Sequence, residues 1–321
     1  MSVTIGPVGT SVTPDTGAAT GTPAGGAGDG TAAGTAGPPK PPARSGDTAG
    51  QRIRGLVAKP TLVLSCLVVL MVLLWALAPS IFSGYDPLKA DTSVALQPPS
   101  LAHLFGTDEL GRDVFTRMVH GTALTLLTTV VAVVIGFVFG SVIGLAAGYF
   151  GRIADGVLMR IVDILLAIPM LVLAMAIVTA IGFGSVQLAI GVGIGMIGSV
   201  ARVMRSEVLR VRQSTFIDAE KSMGARDGYI IVRHVLPNSI GPVLVLAILD
   251  FGAAILTIAA LSFLGYGTPP PTPEWGSLVA SGRAYLTTGW WMSTLPGLTI
   301  AVFVVCINRI ARELQEERKS R

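Results

Sequence analysis

From residue 60 onward the chain alternates long apolar runs with short polar breaks, and each run is longer than the helices of a soluble core. About 20 apolar residues rising 1.5 Å each cross a hydrocarbon layer of roughly 30 Å. Six stretches meet that length: approximately Thr61 to Ile81, Ala123 to Tyr149, Gly156 to Ile181, Ser185 to Met204, Ser239 to Leu264 and Ser293 to Ile310. The last is the shortest, and Trp290 and Trp291 just before it suit an interfacial anchor. Pro169 falls inside the third stretch, where its missing backbone donor predicts a kink or hinge. The pattern predicts an all-α, polytopic membrane protein with six transmembrane helices over residues 58–310, and a loop at 205–238 between helices four and five. Residues 1–57 are predominantly Gly, Ala, Thr, Pro and Ser in their first fifty positions, and they read as a disordered tail. They lack the basic start and apolar core of a secretory signal. Residues 311–321 read as a second, C-terminal tail.

Composition strengthens the membrane reading. The 321 residues are 51% hydrophobic and 13% charged, against roughly 25% charged in an ordinary soluble domain. Mean hydropathy is +0.69 even with the polar tail included, which argues against a soluble enzyme. Cys66 and Cys306 sit in separate apolar runs without metal or redox spacing, so no metal site is expected. The formal net charge of +4 is too small to imply nucleic-acid binding.

Charge placement is more informative than charge sum, because basic loops stay in the cytoplasm. Nineteen of the 23 Lys and Arg residues fall on one side of the six spans: before the first span, at Arg152 and Arg160, in residues 202–233, and after Asn308. Only Lys89, Arg112, Arg117 and Arg283 fall on the other. Both termini and the 205–238 loop are therefore expected in the cytoplasm. Within the second span Gly136, Gly140, Gly144 and Gly148 recur every four residues and form a flat ridge for close helix approach. Gly191, Gly195 and Ser199 repeat the device in the fourth span.

The loop from Arg205 to Pro242 is too long for a simple turn. Thr215 and Asp218 have capping-box spacing and Gly224 supplies a stop, which predicts a short helix from about Phe216 to Met223. A second helical turn is expected from Asp227 to Val235, ending at Pro237. A short amphipathic helix across the mouth of a bundle suits docking of a partner. It equally suits an interfacial helix resting on lipid headgroups.

Here the sequence resembles the permease subunits of bacterial ABC importers, whose cytoplasmic signature is Glu-Ala-Ala, three residues, Gly, and later Ile-x-Leu-Pro. Asp218, Ala219 and Glu220 stand at the first three positions, with glutamate replacing the second alanine, Gly224 at the expected spacing, and Val235, Leu236 and Pro237 closing the motif. The resemblance implies that Asp218, Ala219, Glu220, Met223, Gly224, Ala225, Arg226, Val235, Leu236 and Pro237 couple a separate ATPase to the transmembrane helices. Three further stretches narrow it to the second permease of the dipeptide/oligopeptide/nickel group: FGTDELGRDVFTRMVHG (105–121), DGVLMRIVDILLAIPMLVLA (155–174) and LSFLGYGTPPPTPEWGSLVASGRAYL (261–286). It implies a plasma-membrane subunit of a bacterium that forms half a translocation path, imports dipeptides, short oligopeptides, nickel or another small solute, and holds no cofactor of its own. ATP and Mg would be bound by one or two partner ABC ATPase subunits. The other implied partners are a homologous permease subunit, an extracytoplasmic substrate-binding protein and membrane lipid.

The residues also have direct readings. Thr107 is placed to cap a helix opening with Asp108 and Glu109, in which Asp108–Arg112 and Asp113–Arg117 would be i,i+4 pairs. A folded extracellular element accounts for this better than a calcium loop. Asp250 is the only acid well inside a predicted span, and the cost of burying its charge makes it a candidate for a cavity or pore, together with Asp163 and Pro169. Hydrogen-bonded packing explains Asp250 equally well. Pro269, Pro270, Pro271 and Pro273 with Trp275 read as a stiff extracellular turn. The sequence contains no GxxxxGK[ST] phosphate loop, and His103, His120 and His234 form no catalytic spacing. An ion-coupled secondary carrier would place more ionisable groups in its spans, and a membrane scaffold would not need the 205–238 loop.

Overall fold

The computed structural model describes residues 59–319, with side chains through Glu316, so the expected tail at 1–57 lies outside the described residues. The described elements are helices joined by turns: α1 (Pro60–Leu77), α2 (Pro79–Phe82), α3 (Val114–Phe150), α4 (Arg152–Ala167), α5 (Met170–Ile181), α6 (Ser185–Arg212), α7 (Thr215–Ser222), α8 (Asp227–Ile230), α9 (Leu236–Phe263), α10 (Trp275–Ser281) and α11 (Trp291–Lys319). Five uninterrupted helical segments are long and apolar enough to cross a membrane, and α4 with α5 makes a sixth crossing if the bent pair is one span.

That pair is bent by 92°. Ile168 is extended (φ −95°, ψ 127°), the conformation forced on a residue before proline, and Pro169 caps α5 without an N–H to continue the ladder. The expected kink is thus a full break. Three other elements also depart from expectation. No helix opens at Asp108. Gly106 and Gly111 have φ near +70°, and the chain turns back so that Thr107 bridges Asp113. The helix starts six residues later, at Val114, with Asp113 Oδ1 accepting from Thr116 N at 2.8 Å. The second turn of the loop does not stop at Pro237 either. After α8 the chain widens into a π turn at Ile231–Val235 and runs without interruption into α9, giving one helical segment from Asp227 to Phe263. Pro237 lies in the first turn of α9, and the wider turn before it relieves the clash between the ring and the preceding carbonyls. At the other end of the chain α11 continues through Lys319, so the stretch expected as a tail is helical.

The α3 glycine ridge lies against α6. A Cβ added at Gly136, Gly140 or Gly148 would fall 2.6 to 2.8 Å from the Cβ of Met196, Val200 or Val208, far inside van der Waals contact. Gly191 and Gly195 admit α5 in the same way, through Ala174 and Met170. Small residues substitute for the hydrophobic drive that lipid does not provide between helices. Four apolar clusters result among the described residues: one around Trp75, Met118, Trp275 and Phe303, a middle one around Val178, Val192 and Ile258, a third around Tyr149, Val208, Ile217 and Ile230, and a small fourth of Val114, Trp291 and Met292. The first and third lie at opposite ends of α3 and define the two ends of the bundle.

Candidate coupling surface and transport path

At the third cluster, α7 crosses the end of the bundle with one face down. Ile217 is fully buried against the side of Val208, Val211, Ile230 and Val235, whereas Phe216, Asp218, Ala219, Met223 and Arg226 are exposed. Met223 is 75% exposed and Val232 67%. The predicted capping box is not formed: helix α7 starts at Thr215 itself, and its cap, Ser214, makes no capping bond to it but donates its hydroxyl back to Val211 O. The stop, by contrast, is built as predicted. Gly224 takes φ +82°, and Gly224 N donates to Lys221 O at 3.0 Å while Ala225 N donates to Glu220 O at 3.1 Å. This paired closure is the left-handed helix end that glycine favours.

Residues that the sequence did not single out hold this element in place. Tyr149, at the end of α3, donates its hydroxyl to Asp227 Oδ1 at 2.6 Å. Its ring faces the guanidinium of Arg212 at 5.9 Å and the ammonium of Lys221 at 5.7 Å. Tyr149 therefore touches the ends of α6, α7 and α8 together. His234 lies between the rings of Phe216 and Tyr229, and its Nε2 is 3.4 Å from Glu220 Oε1. Glu220, the departure from the alanine of the signature, thus faces the π turn and links the two parts of the motif. Val235 is buried and Leu236 half-buried, while Pro237 is exposed. The signal available in the sequence was the position of Tyr149 at the membrane-exit turn of the glycine-ridged helix.

The pore candidates are not brought together. Asp163 is exposed on α4 and accepts from Arg202 Nη2 of α6 at 2.9 Å. Pro169 marks the break. Asp250 is half-buried on α9, and its Oδ2 is enclosed with no hydrogen-bond partner. Two residues further on, Gly252 leaves room for Asn308 of α11.

The opposite end is closely bonded. Trp275 is buried and donates Nε1 to Met118 O and Thr122 Oγ1 at 3.1 and 3.2 Å, while its backbone N donates to Thr125 Oγ1. Glu274 caps α10 by accepting from Gly276 N and Ser277 N. Burial pushes its carboxyl above the ordinary glutamate range, against the pull of those N–H groups. Trp291 Nε1 donates to Thr107 O at 3.1 Å. Asp108 accepts from Arg112 Nε at 2.7 Å and from Arg112 N at 2.9 Å, the predicted pair, although on a turn. Asp113 is spent on the cap and does not pair with Arg117. Arg117 donates instead to Pro87 O and Pro271 O.

The described residues form a multi-pass bundle with a short helix crossing one end. Residues 140–319 match the family described as the binding-protein-dependent transport system inner membrane component. The chain belongs to this family and is a permease subunit of a bacterial ABC importer. It is 40% identical over 253 residues to the probable D,D-dipeptide transport system permease protein of Escherichia coli (strain K12), covering 79% of this chain and 85% of that one. It is 38% identical over 254 residues to the dipeptide transport system permease protein of Alkalihalophilus pseudofirmus, covering 79% and 84%. An inward-facing structure of the MetNI methionine ABC transporter shares the fold at TM-score 0.51 and 21% identity, covering 62% of this chain and 97% of that one.

Proposed function

We propose that this chain forms half of the translocation path of an ATP-driven importer of dipeptides or short oligopeptides, paired with a homologous permease. One or two separate ABC ATPase subunits bind ATP and Mg, and an extracytoplasmic binding protein delivers the peptide. Both termini and α7 are cytoplasmic, in line with the skew of Lys and Arg to that side. The observation that carries the reading is α7 itself. It presents Asp218, Ala219, Met223, Gly224 and Arg226 outward at the tip of the bundle, Glu220, Ala225 and the Val235–Leu236–Pro237 turn back it, and Tyr149 of α3 meets it through the Lys221 ammonium over its ring and holds the following α8 through Asp227. Nucleotide-driven movement of an ATPase pushes on α7 and reaches α3, α6 and α9 through this contact. The 92° break at Pro169 supplies a joint. The peptide substrate follows from the dipeptide permeases that this chain resembles over most of its length.

The test is uptake of labelled L-alanyl-L-alanine by the complete importer in proteoliposomes. Uptake is expected to require ATP, the ATPase subunits and the binding protein together. Uptake by the permeases alone would indicate a secondary carrier, and import of nickel but not peptide would reassign the substrate.

A further inference from the structure

At the end opposite α7, a cavity of about 890 Å³ opens between the 109–117 turn, the end of α9, the three-proline turn and α10. Its size lies in the range of small-molecule sites, roughly 300–1,000 Å³. Four polar atoms among its lining residues are enclosed and lack any hydrogen-bond partner: Arg117 Nε, Glu109 Oε2, Thr268 Oγ1 and Ser262 Oγ. The Arg117 side chain is only 6% exposed, and the nearest carboxylate oxygen to its Nε, Asp108 Oδ2, is 3.8 Å away, beyond a hydrogen bond. Asp108 is already committed to Arg112, and Glu109 has only a long contact to Arg112 Nη2, 3.5 Å from Oε1. Buried polar atoms in native proteins are ordinarily paired, so this grouping of one free carboxylate oxygen, one free guanidinium N–H and two hydroxyls marks a place where a polar partner belongs, although the terminal nitrogens of Arg117 are held by Pro87 O and Pro271 O. The proline turn adds carbonyls, and Pro269, Pro270 and Pro271 have no N–H to compete as donors.

We propose that this cavity is an entry site for a zwitterionic short peptide, with Glu109 receiving the α-ammonium and Arg117 and Thr268 the α-carboxylate. A ligand bearing one charge would leave either the acid or the cation unmatched, whereas a free peptide carries both. The inference rests on the peptide reading above and adds where the permease itself recognises the two ends of the substrate.

The experiment uses the complete importer in nanodiscs without binding protein. Cys66 and Cys306 are replaced by serine, and Ser281→Cys is introduced at an exposed lining position. Excess L-alanyl-L-alanine is expected to slow labelling at 281 by a membrane-impermeant thiol reagent, while N-acetyl-alanyl-alanine amide, which has neither charge, gives no protection. Glu109→Gln is expected to weaken protection by the dipeptide about tenfold, the usual scale for a lost hydrogen bond to a charged group. The labelling rate without peptide, unchanged in that variant, reports that the cavity is intact. Equal protection by the neutral analogue, or none by the dipeptide in a complex that imports it, overturns the site and leaves the peptide reading standing. Failure of the complete system to import the dipeptide overturns that reading itself. In a parallel sample to which empty binding protein is added, protection by that protein with no effect of peptide in either sample would make the cavity a protein-docking surface and would also overturn the proposal.

Discussion

The two ends of this bundle are built by opposite means. At one, Trp275, Trp291, Glu274 and the Asp108–Arg112 pair are buried and bonded across α3, α10 and α11, so four segments distant in sequence are locked together. At the other, α7 buries the single side chain of Ile217 and exposes most of the rest, its Lys221 ammonium lies over the ring of Tyr149, and the hydroxyl of that tyrosine joins the neighbouring α8 to the long helix. Local stability follows the number of buried contacts that must break. The first end is therefore a fixed cap and the second a movable one, which suits a subunit pushed from that side while its other end receives a ligand.

Substitutions at each end should break or sharpen the contrast. The largest effect is expected between the ends, where both depend on the α3–α6 contact. Gly140→Leu places a Cβ 2.7 Å from that of Val200 and adds three further carbons. Overpacking costs typically about 1–3 kcal/mol even where backbones can give; here two helices must separate, and no folded permease should elute on size exclusion. Recovery at the normal yield would mean that the ridge is not a packing surface. At the fixed end, Asp108→Ala leaves the buried Arg112 without its partner, a loss of about 3–5 kcal/mol, seen as a marked fall in the thermal midpoint. Tyr149→Phe at the movable end removes one hydroxyl bond worth about 1 kcal/mol. Its midpoint should barely change while uptake per ATP hydrolysed falls. If these two variants exchanged phenotypes, the assignment of fixed and movable ends would be reversed.

The smallest effect is a pH dependence at the fixed end. Glu274 has a folded pKa above its ordinary value near 4.5, so ionising it opposes folding. Its contribution is most favourable below the ordinary value and is lost as pH rises through the raised one. Glu274→Gln keeps a capping oxygen and removes this titration. The decline in thermal midpoint on raising pH from about 5 to about 8 should be shallower in the variant, and parallel curves would mean that Glu274 does not titrate in the fold.

The spans were legible because lipid imposes a length and an apolar character on each. The α3 ridge was legible because glycine at every fourth position has one steric meaning. The helix stop at Gly224 was legible for the same kind of local reason. Boundaries set by distant partners were not. Asp113 rather than Thr107 caps α3 because Gly106 and Gly111 turn the chain back first, and Pro237 fails to end its helix because a π turn absorbs the strain. Tyr149 carries no motif, since its importance lies in meeting Asp227, 78 positions away. The unpaired atoms of Arg117 and Glu109 are likewise a property of the assembled cavity. In sequence they read as members of ordinary i,i+4 and first-turn patterns.

The central claim is that α7 transmits the work of an ATPase, and its helix stop offers the most direct test. Gly224 has φ +82° and open space around its missing Cβ, so Gly224→Val strains the backbone without a clash, by about 1–2 kcal/mol. The measurement is the number of peptides imported per ATP hydrolysed by the reconstituted complex. The account predicts a variant that assembles in normal amount but imports far less per ATP than the parent. An unchanged ratio, with α7 displaced by the substitution, would contradict it.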